Sequence, residues 1–458
     1  MGTSAPTRVR LGVAAFVTLV TFLTYLDRLN LSIAGKSIQE ELRLSTETLG
    51  WVLSAFLLGY ALLQIPGGWL GDRLGARKVL AGAVLLWSVF TVLTAFAPQL
   101  PIARWWGAVW ALMIVRFLVG VGEAASSPNA NKIIAAWMGS NHRGFGTSFS
   151  ILGIGLGGAM TPPLIAWIMQ RWGWRTSFVV AGIAGLAVAL AWYWFVTDTP
   201  EEHPKVNAAE LELIRSRRTQ SGPADRMPAL HDGQRTKAPV PWGRILRSRS
   251  VWGLALGYMC QGFPIYFFHT WFFIYLVNIR GMSVTKGSFW GSFPYVAIAL
   301  LAPLGGMFSD RVSRQFGKRL GRRMAIAVGM GSSAILLFAG SHTAANLPAL
   351  LMLGFGAGFN MFAATTFWAT AIDLSEAHTA SVSGLMNTFG NLGGWLSPIV
   401  TAYLATRHGW NAALYCAAAV SACSIAFFSL VDADESVDAA TEDSYGITPP
   451  LAPGEMSF

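Results

Sequence analysis

The chain has 458 residues, of which 53% are hydrophobic and only 12% are charged, and its mean hydropathy is +0.48. Soluble proteins carry about 25% charged residues on average. The composition excludes an ordinary soluble protein and indicates a chain that crosses a membrane several times.

Twelve apolar runs have the length of about 20 residues that a helix needs to cross a hydrocarbon core of roughly 30 Å. The sequence therefore predicts an all-α integral membrane protein with twelve transmembrane helices. In chain order, the predicted spans are residues 11–34, 48–70, 79–98, 107–131, 145–168, 175–196, 251–277, 289–309, 324–340, 347–371, 380–405 and 410–431.

The distribution of basic residues predicts the orientation of these spans, because Lys and Arg are retained on the cytoplasmic side during insertion. With the N-terminus inside, 23 of the 33 Lys and Arg residues fall on the cytoplasmic side and 8 on the opposite side. The other two, Arg28 and Arg116, lie within spans. We therefore expect a multi-pass protein of the inner (plasma) membrane with both termini in the cytoplasm. The net charge of +10 then reflects orientation and needs no nucleic-acid partner.

Composition divides the chain into four parts. Residues 1–196 and 250–431 are predicted to form an N-terminal and a C-terminal six-helix bundle. Residues 197–249 are polar and basic, which indicates a cytoplasmic linker with a short surface helix around Ala208 to Arg218. Residues 432–458 are rich in Asp, Glu and Pro and cannot bury a core, so we expect a disordered cytoplasmic tail.

The two halves resemble each other at a nearly constant offset, as the internal repeats of transporters do. Three elements of the first half recur 236 residues later: Gly157-Gly158, Pro162 and Gly173-Trp174 return as Gly393-Gly394, Pro398 and Gly409-Trp410. The repeat implies two bundles related as parallel copies.

The loop after the second span, GWLGDRLGARK from Gly68 to Lys78, resembles the signature loop of the major facilitator superfamily. A degenerate copy, GMFSDRVSRQFGKRLGRR, follows the eighth span. We expect Asp72 to accept hydrogen bonds from a helix N-terminus in the other half and so to latch the cytoplasmic gate. Alternatively, the basic residues only set the topology. The predicted gating residues are Gly68, Asp72, Arg73, Gly75, Arg77, Asp310 and Arg311.

Two acidic residues lie inside apolar spans, Asp27 in LTYLDRLNLS and Glu123 in RFLVGVGEAAS, with Arg28 and Arg116 near them in sequence. A charge at the bilayer centre costs roughly 2.5–3.5 kcal/mol on insertion scales, so such residues are functional by default. Arg116 and Glu123 share one helical face about 10 Å apart along the axis, with Glu123 nearer the cytoplasm. The alternative is a static ion pair of Asp27 with Arg116 that fixes helix packing.

Within the superfamily, the chain resembles the anion:cation symporter family, which includes bacterial sugar-acid transporters and vesicular organic-anion carriers. The shared stretches are YLDRLN at 25–30, YALLQIPGG at 60–68, Arg116 with Glu123 and Pro128, YFFHTW at 266–271, FWA at 367–369 and GLMNTFGN at 384–391. The resemblance implies that Arg28 binds the substrate carboxylate, for which guanidinium offers a bidentate fork. It also implies that Asp27 and Glu123 carry the coupling proton, with Arg116 on the same route.

Several polar side chains are candidates for binding substrate hydroxyl groups in a largely apolar cavity. They are Tyr25, Tyr60 and Tyr266, with Asn387 and Asn391 from the C-terminal half. Interfacial packing remains open for the tyrosines, and helix-to-helix hydrogen bonding for the asparagines. His269, the one histidine in a predicted span, either titrates near neutrality or is structural.

These features predict a secondary active transporter that takes up a small organic anion together with a proton. A sugar acid such as a hexuronate, aldonate or aldarate is the predicted substrate, with dicarboxylates and aromatic carboxylates as alternatives. Proton-antiport efflux and a ligand-binding membrane sensor remain competing functions. We expect no enzymatic activity, cofactor or metal, and a monomer whose partners are the anion, the proton and the lipid bilayer, without nucleic acid.

Overall fold

The computed structural model describes residues 5–138, 143–219, 242–375, 378–435 and 437, which are almost entirely helical. The first half contains α1 (Val9–Leu42), α2 (Thr46–Leu74), α3 (Ala76–Phe96), α4 (Pro101–Trp106), α5 (Ala108–Glu123), α6 (Ser126–Trp137), α7 (Arg143–Trp172) and α8 (Trp174–Phe195). The connecting segment contains α9 (Ala208–Thr219) and α10 (Trp242–Ile245). The second half contains α11 (Arg249–Thr270), α12 (Phe272–Asn278), α13 (Val284–Gly291), α14 (Phe293–Phe316), α15 (Lys318–His342), α16 (Asn346–Leu374), α17 (Thr379–His408) and α18 (Trp410–Phe428).

The helices agree with the predicted spans in order and position. Within the described part of the chain, ten helical segments are long and apolar enough to cross a membrane. The seventh and eleventh predicted spans coincide with α11 and α17, which carry polar side chains such as Gln261 and Asn387. The short helix predicted in the linker is α9. The remainder of the linker at 220–241 and the tail beyond 437 lie outside the described residues.

Three predicted spans are each divided into two helices. The fourth is broken between α5 and α6, directly after Glu123, the seventh at Trp271, and the eighth at Ser292. The junction residues Ala124, Ala125, Trp271 and Ser292 keep right-handed helical backbone angles, so these interruptions are slight.

The two halves have the same internal packing. In the first half, α1 packs on α7, α2 on α5 and α3 on α8; the equivalent pairs of the second half are α11 with α17, α14 with α16 and α15 with α18. Equivalent helix junctions turn at glycines with positive φ, 90° at Gly75 and 86° at Gly317, then 80° at Gly173 and 85° at Gly409. Glycine adopts this conformation without steric cost. The repeated turns explain why these glycines recur in the sequence.

Contacts between the halves run from one rim of the bundle to its middle. At the rim opposite the linker, Glu47 of α2 lies 3.9 Å from Arg407 of α17. Deeper in, the Ser54 hydroxyl donates to the Trp395 carbonyl at 2.9 Å. The innermost contact of this helix pair joins Gln64 to Asn387 at 2.7 Å. The halves are therefore closed on the side opposite the linker.

On the linker side, Asp72 does not make the expected contact with the other half. Its carboxylate lies 2.9 Å from the Lys132 ammonium on α6 of the same half. In the second half, Asp310 likewise pairs with Arg322 at 3.0 Å. The hydrogen bonds between α2 and α17 reach Gln64, about 12 Å along the axis before Asp72. In this structure both motif carboxylates therefore pair within their own halves.

The other predicted gating residues also stabilise their own half. The Arg73 guanidinium stacks 4.2 Å over the Trp69 ring. The Arg77 backbone N–H donates to Asp198 at 2.8 Å, and a Cβ on Gly75 would clash with that same carboxylate. Gly68 packs against Pro128, and Arg311 lines a surface cavity beside Asp310 and Arg314.

A buried carboxylate attaches the connecting segment to the start of the first helix. Glu210 of α9 is fully buried and accepts hydrogen bonds from the Thr7 hydroxyl at 2.5 Å and from the backbone N–H groups of Val9 and Arg10 at 3.2 Å. The first N–H groups of a helix have no partner within it, and its dipole favours an anion there. The segment after the first bundle thus caps α1.

Replacing Glu210 with alanine is expected to destabilise the protein by roughly 1–3 kcal/mol, the cost of leaving buried donors unsatisfied. The measurement is the unfolding transition in detergent. The matched control is Glu212→Ala, since Glu212 lies on the same helix but is exposed. An equal effect of the two substitutions would contradict the capping role.

Candidate functional site

The arginine of the first span and the acid of the fourth form a buried ion pair. Arg28 of α1 places Nε 2.6 Å and Nη2 2.5 Å from Oε1 of Glu123, the last residue of α5. The Glu123 side chain is completely buried, whereas that of Arg28 is 13% exposed. Charge-assisted hydrogen bonds of this length are about twice as strong as neutral ones. The pair therefore joins α1 to the end of α5, beside the junction between α5 and α6.

The sequence predicted a shared helical face for Arg116 and Glu123, about 10 Å apart, but not the ion pair between Arg28 and Glu123. Among the described side chains, no hydrogen bond or ion pair links Asp27 to Arg116, so the static pair considered above is not present. Consecutive helical residues point about 100° apart. Arg28 can therefore reach α5, while the neighbouring Asp27 turns its carboxyl group toward Trp87 and Thr91 of α3.

Aromatic rings surround the Arg28 guanidinium. Its central carbon lies 4.7 Å from the Tyr60 ring centroid, 5.3 Å from that of Phe56 and 5.7 Å from that of Tyr25. Phe56 also lies 5.4 Å from the Arg116 guanidinium. Cations are attracted to ring faces at these distances. Two of the predicted tyrosines thus contact Arg28, and Phe56, which the sequence did not single out, separates the two arginines.

Behind the ion pair lies a group of buried polar atoms that make no well-aligned hydrogen bond in the described structure, although the Asp27 carboxyl group faces Trp87 and Thr91. They are Asp27 Oδ1, Arg116 Nε and Nη1, Glu123 Oε2, Trp87 Nε1 and Thr91 Oγ1. Buried polar atoms are nearly always satisfied by protein or water, so such a concentration requires an explanation. Bound water is the usual partner of such groups in protein interiors. Trp87 and Thr91 lie four residues apart on one face of α3, the only sequence signal that could have identified them.

Polar contacts cross from the first half to the second through Gln64. Its amide donates to the Tyr60 hydroxyl at 3.4 Å, and that hydroxyl lies 3.5 Å from Ser127 Oγ. Its carbonyl oxygen accepts from Asn387 at 2.7 Å and from Asn391 at 3.2 Å. The structure therefore brings the predicted asparagines to the predicted tyrosine through Gln64, which was noted only as part of a motif.

Replacing Gln64 with leucine is expected to weaken substrate uptake about 30-fold, because its two hydrogen bonds to the second half are lost at about 1 kcal/mol each. Uptake by cells or proteoliposomes is the measurement. Gln170→Leu is the matched control, since Gln170 of α7 also bridges the halves, by donating to Thr285 at 3.1 Å, but at the distant rim. Equal losses in both variants would assign the effect to general packing.

His269 lies within a cluster of three tyrosine rings. Ring centroids are 5.1 Å from His269 to Tyr266, 5.7 Å to Tyr295 and 5.8 Å to Tyr25. His269 Nδ1 and the Tyr295 hydroxyl are buried without partners among the described residues. Tyr295 of α14 also joins the site, and nothing in the sequence distinguished it. The cluster places hydrogen-bonding groups of the second half beside Tyr25, which borders Arg28.

Repeated glycines make room for these rings. A Cβ on Gly158 would clash with the Tyr295 ring, and one on Gly394 with the Tyr266 ring. The two glycines occupy equivalent positions of the repeat, on α7 and α17. Small residues permit such close approach within membranes.

No group of three or more metal-ligating side chains occurs among the described residues.

The chain is similar in sequence to known membrane transporters. The sequence model of the Major Facilitator Superfamily matches residues 17–398 and 316–453. Probable sulfoacetate transporter SauU of Cupriavidus necator is 34% identical to this chain. The match covers 85% of this chain and 86% of SauU. Probable galactarate/D-glucarate transporter GudP of Bacillus subtilis is 35% identical to this chain. The match covers 89% of this chain and 88% of GudP. These relatives confirm the resemblance to sugar-acid and organic-anion transporters and indicate no enzyme family.

Solved structures agree on the fold. A bacterial homolog of the human lysosomal transporter Spinster, in an inward-facing and unoccupied conformation, matches with a TM-score of 0.72 over 93% of this chain and 97% of that chain. The sequence identity is 19%, so the likeness concerns the fold alone. It confirms the predicted multi-pass all-α architecture. With sequence model, relatives and architecture in agreement, the chain belongs to the Major Facilitator Superfamily of membrane transporters.

Proposed function

We propose that this protein takes up a sugar acid together with a proton by alternating access. The observation that carries the proposal is the ion pair between Arg28 and Glu123, at 2.5–2.6 Å, within the membrane-spanning bundle. A buried arginine that already holds a carboxylate has the chemistry to hold a substrate carboxylate in its place.

The coupling follows from competition between two carboxylates for one guanidinium. While Glu123 is ionised it occupies Arg28, and an incoming anion would meet a neutral pair. Once Glu123 binds a proton, its hold on Arg28 weakens and the guanidinium is free to bind the substrate carboxylate. Substrate and proton then enter the site together, which is the requirement for symport. The unpartnered atoms around Asp27 and Arg116 supply the connected polar environment for proton exchange.

The remaining groups fit the hydroxyl groups of a sugar acid. Tyr25 and Tyr60 border Arg28, and Tyr266, Asn387 and Asn391 approach from the second half. Binding sites of small polar ligands combine an apolar lining with a few placed polar groups. Two relatives named for transport of sulfoacetate and of galactarate or glucarate support a small, hydrophilic organic anion as the substrate class.

In the proposed cycle, the bundles 1–196 and 250–431 rock around this midplane site. The structure, closed on the side opposite the linker, corresponds to the inward-facing state. Asp72 and Asp310 would exchange their partners within each half for partners across it when the linker side closes. We place the protein in the inner membrane as a monomer, with both termini in the cytoplasm, in accordance with the distribution of Lys and Arg.

The test is uptake into proteoliposomes from a panel of labelled hexuronates, aldonates and aldarates, with dicarboxylates and aromatic carboxylates as comparison. An inward proton gradient should drive accumulation of at least one sugar acid, and a protonophore should abolish it. Accumulation of a dicarboxylate or aromatic carboxylate alone would overturn the substrate class. Proton-driven export of a cation, or binding without transport, would overturn symport in favour of efflux or sensing.

A further inference from the structure

A basic cavity lies at the linker end of the second half, away from the ion pair. Its volume is about 580 Å³. Five arginines line it, Arg244, Arg247 and Arg249 from the segment entering α11, and Arg319 and Arg323 from α15. Two acidic residues, Asp432 and Glu435, also line it, which leaves a net charge of three positive units.

Two of the five arginines already have hydrogen-bond or ion-pair partners within the described structure. Arg319 pairs with Asp432 at 2.9 Å, and Arg323 donates to the Val431 carbonyl at 2.7 and 3.1 Å. The guanidinium groups of Arg244, Arg247 and Arg249 make no hydrogen bond or ion pair to any residue that the structure describes. Three guanidinium groups without a partner among the described residues thus line one cavity.

The segment that carries these cations is held in place. Ile245 is completely buried against Val251 and Phe428, and the Trp252 indole donates to the Leu246 carbonyl at 2.8 Å. Ser248 caps α11, whose first turn lines the cavity and directs its positive dipole end into it. The guanidinium groups are therefore arranged before any ligand binds.

Exposed apolar side chains accompany the cavity. Leu430 lines it and is 37% exposed, and Trp242 and Leu246, on the segment that carries its arginines, are 48% and 45% exposed. Tryptophan beside basic residues at the end of a membrane helix is typical of the interfacial zone of the bilayer. A ligand that fits this border needs an anionic head and an apolar body.

We propose that this cavity binds the phosphate headgroup of an anionic phospholipid, with its acyl chains leaving the cavity past Leu430 toward the exposed Trp242 and Leu246 of the neighbouring segment. Basic pockets between membrane helices on the cytoplasmic side are suited to anionic headgroups, and each Lys or Arg near such a surface contributes about 1 kcal/mol. The site is distinct from the proposed transport site and does not depend on its substrate.

The test uses the full chain in a neutral detergent, titrated with phosphatidylglycerol, phosphatidylcholine or inorganic phosphate, and bound lipid is counted by native mass spectrometry. Arg244→Gln with Arg247→Gln should weaken phosphatidylglycerol binding about 25-fold, at about fivefold per arginine. Phosphatidylcholine binding should be equal in all forms. Arg244→Lys with Arg247→Lys should retain most of the phosphatidylglycerol affinity.

The matched control is Lys78→Gln with Lys205→Gln, which removes the same charge from exposed positions on the linker side outside the cavity. The control should bind phosphatidylglycerol like the wild type. Unchanged binding in the arginine-to-glutamine variant, or an equal loss in the lysine control, would overturn the proposal. Displacement of phosphatidylglycerol by an equal concentration of inorganic phosphate would assign the cavity to a free anion instead of a lipid.

Discussion

Replacing Glu123 with glutamine is expected to abolish proton-driven accumulation of the substrate while substrate exchange persists. Glutamine has nearly the same shape, and its carbonyl can still accept a hydrogen bond from Arg28, but it cannot bind and release a proton. For an electroneutral carrier that moves a single proton with each monovalent anion, one pH unit of gradient supports about tenfold accumulation. The variant should equilibrate its substrate without accumulating it.

The measurement compares accumulation under an imposed proton gradient with counterflow exchange in the same proteoliposomes. Glu41→Gln is the matched control, because Glu41 also pairs with an arginine, Arg175, at 2.6 Å, but at the exposed rim opposite the linker. The control should accumulate substrate normally. Wild-type accumulation by the Glu123 variant would reject a coupling role for this residue.

Replacing Arg28 with lysine is expected to weaken substrate binding by about 10- to 150-fold. Lysine retains the positive charge beside Glu123, which avoids leaving a buried carboxylate uncompensated at a cost of about 3–5 kcal/mol. It loses the planar fork that binds a carboxylate at two points. One charge-assisted hydrogen bond contributes about 1.5–3 kcal/mol, which converts to the stated range.

Substrate affinity is measured by uptake at graded substrate concentrations, with protein abundance in the membrane as the check on folding. Arg175→Lys is the matched control, since Arg175 forms a bidentate pair with Glu41 that is largely exposed. Exposed pairs contribute about 0–1 kcal/mol, so uptake should change little. Unaltered affinity in the Arg28 variant would place the substrate carboxylate elsewhere.

The fold could be predicted closely from the sequence because membrane spans depend on a single dominant signal, the length of apolar runs. The ends of the helices could not, since α1 and α2 continue several residues beyond the predicted spans into polar sequence that is also compatible with a helix. The interruption after Glu123 could not be predicted either, because Ala124 and Ala125 are good helix formers and keep helical backbone angles.

The sequence identified the charged residues of the candidate site but not which acid pairs with which arginine. Charge within apolar spans identified Asp27, Arg28, Arg116 and Glu123, since charged residues there are costly. Which acid meets which arginine depends on helix rotation and crossing, and Arg28 proved to lie with Glu123. Gln64 could not be distinguished from an ordinary packing residue, because its importance comes from asparagines more than 300 positions away.

The expected latch at Asp72 illustrates a different limit. A transporter sequence must be compatible with at least two arrangements of its halves, so a motif can encode contacts that only one of them contains. In this structure, the Asp72 carboxylate contacts Lys132 of its own half. The gating role therefore remains a prediction for the state in which the linker side is closed.

The two halves contribute different chemistry to the site. The first half supplies both arginines and both acids, whereas the side chains approaching from the second are tyrosine, histidine and asparagine. The charged groups of the site thus lie on one half alone, while the second half adds hydrogen-bonding side chains to those of Tyr25 and Tyr60. Under the proposed mechanism, a lineage could acquire a new preferred substrate through changes in the second half and still inherit the proposed coupling through Glu123 intact.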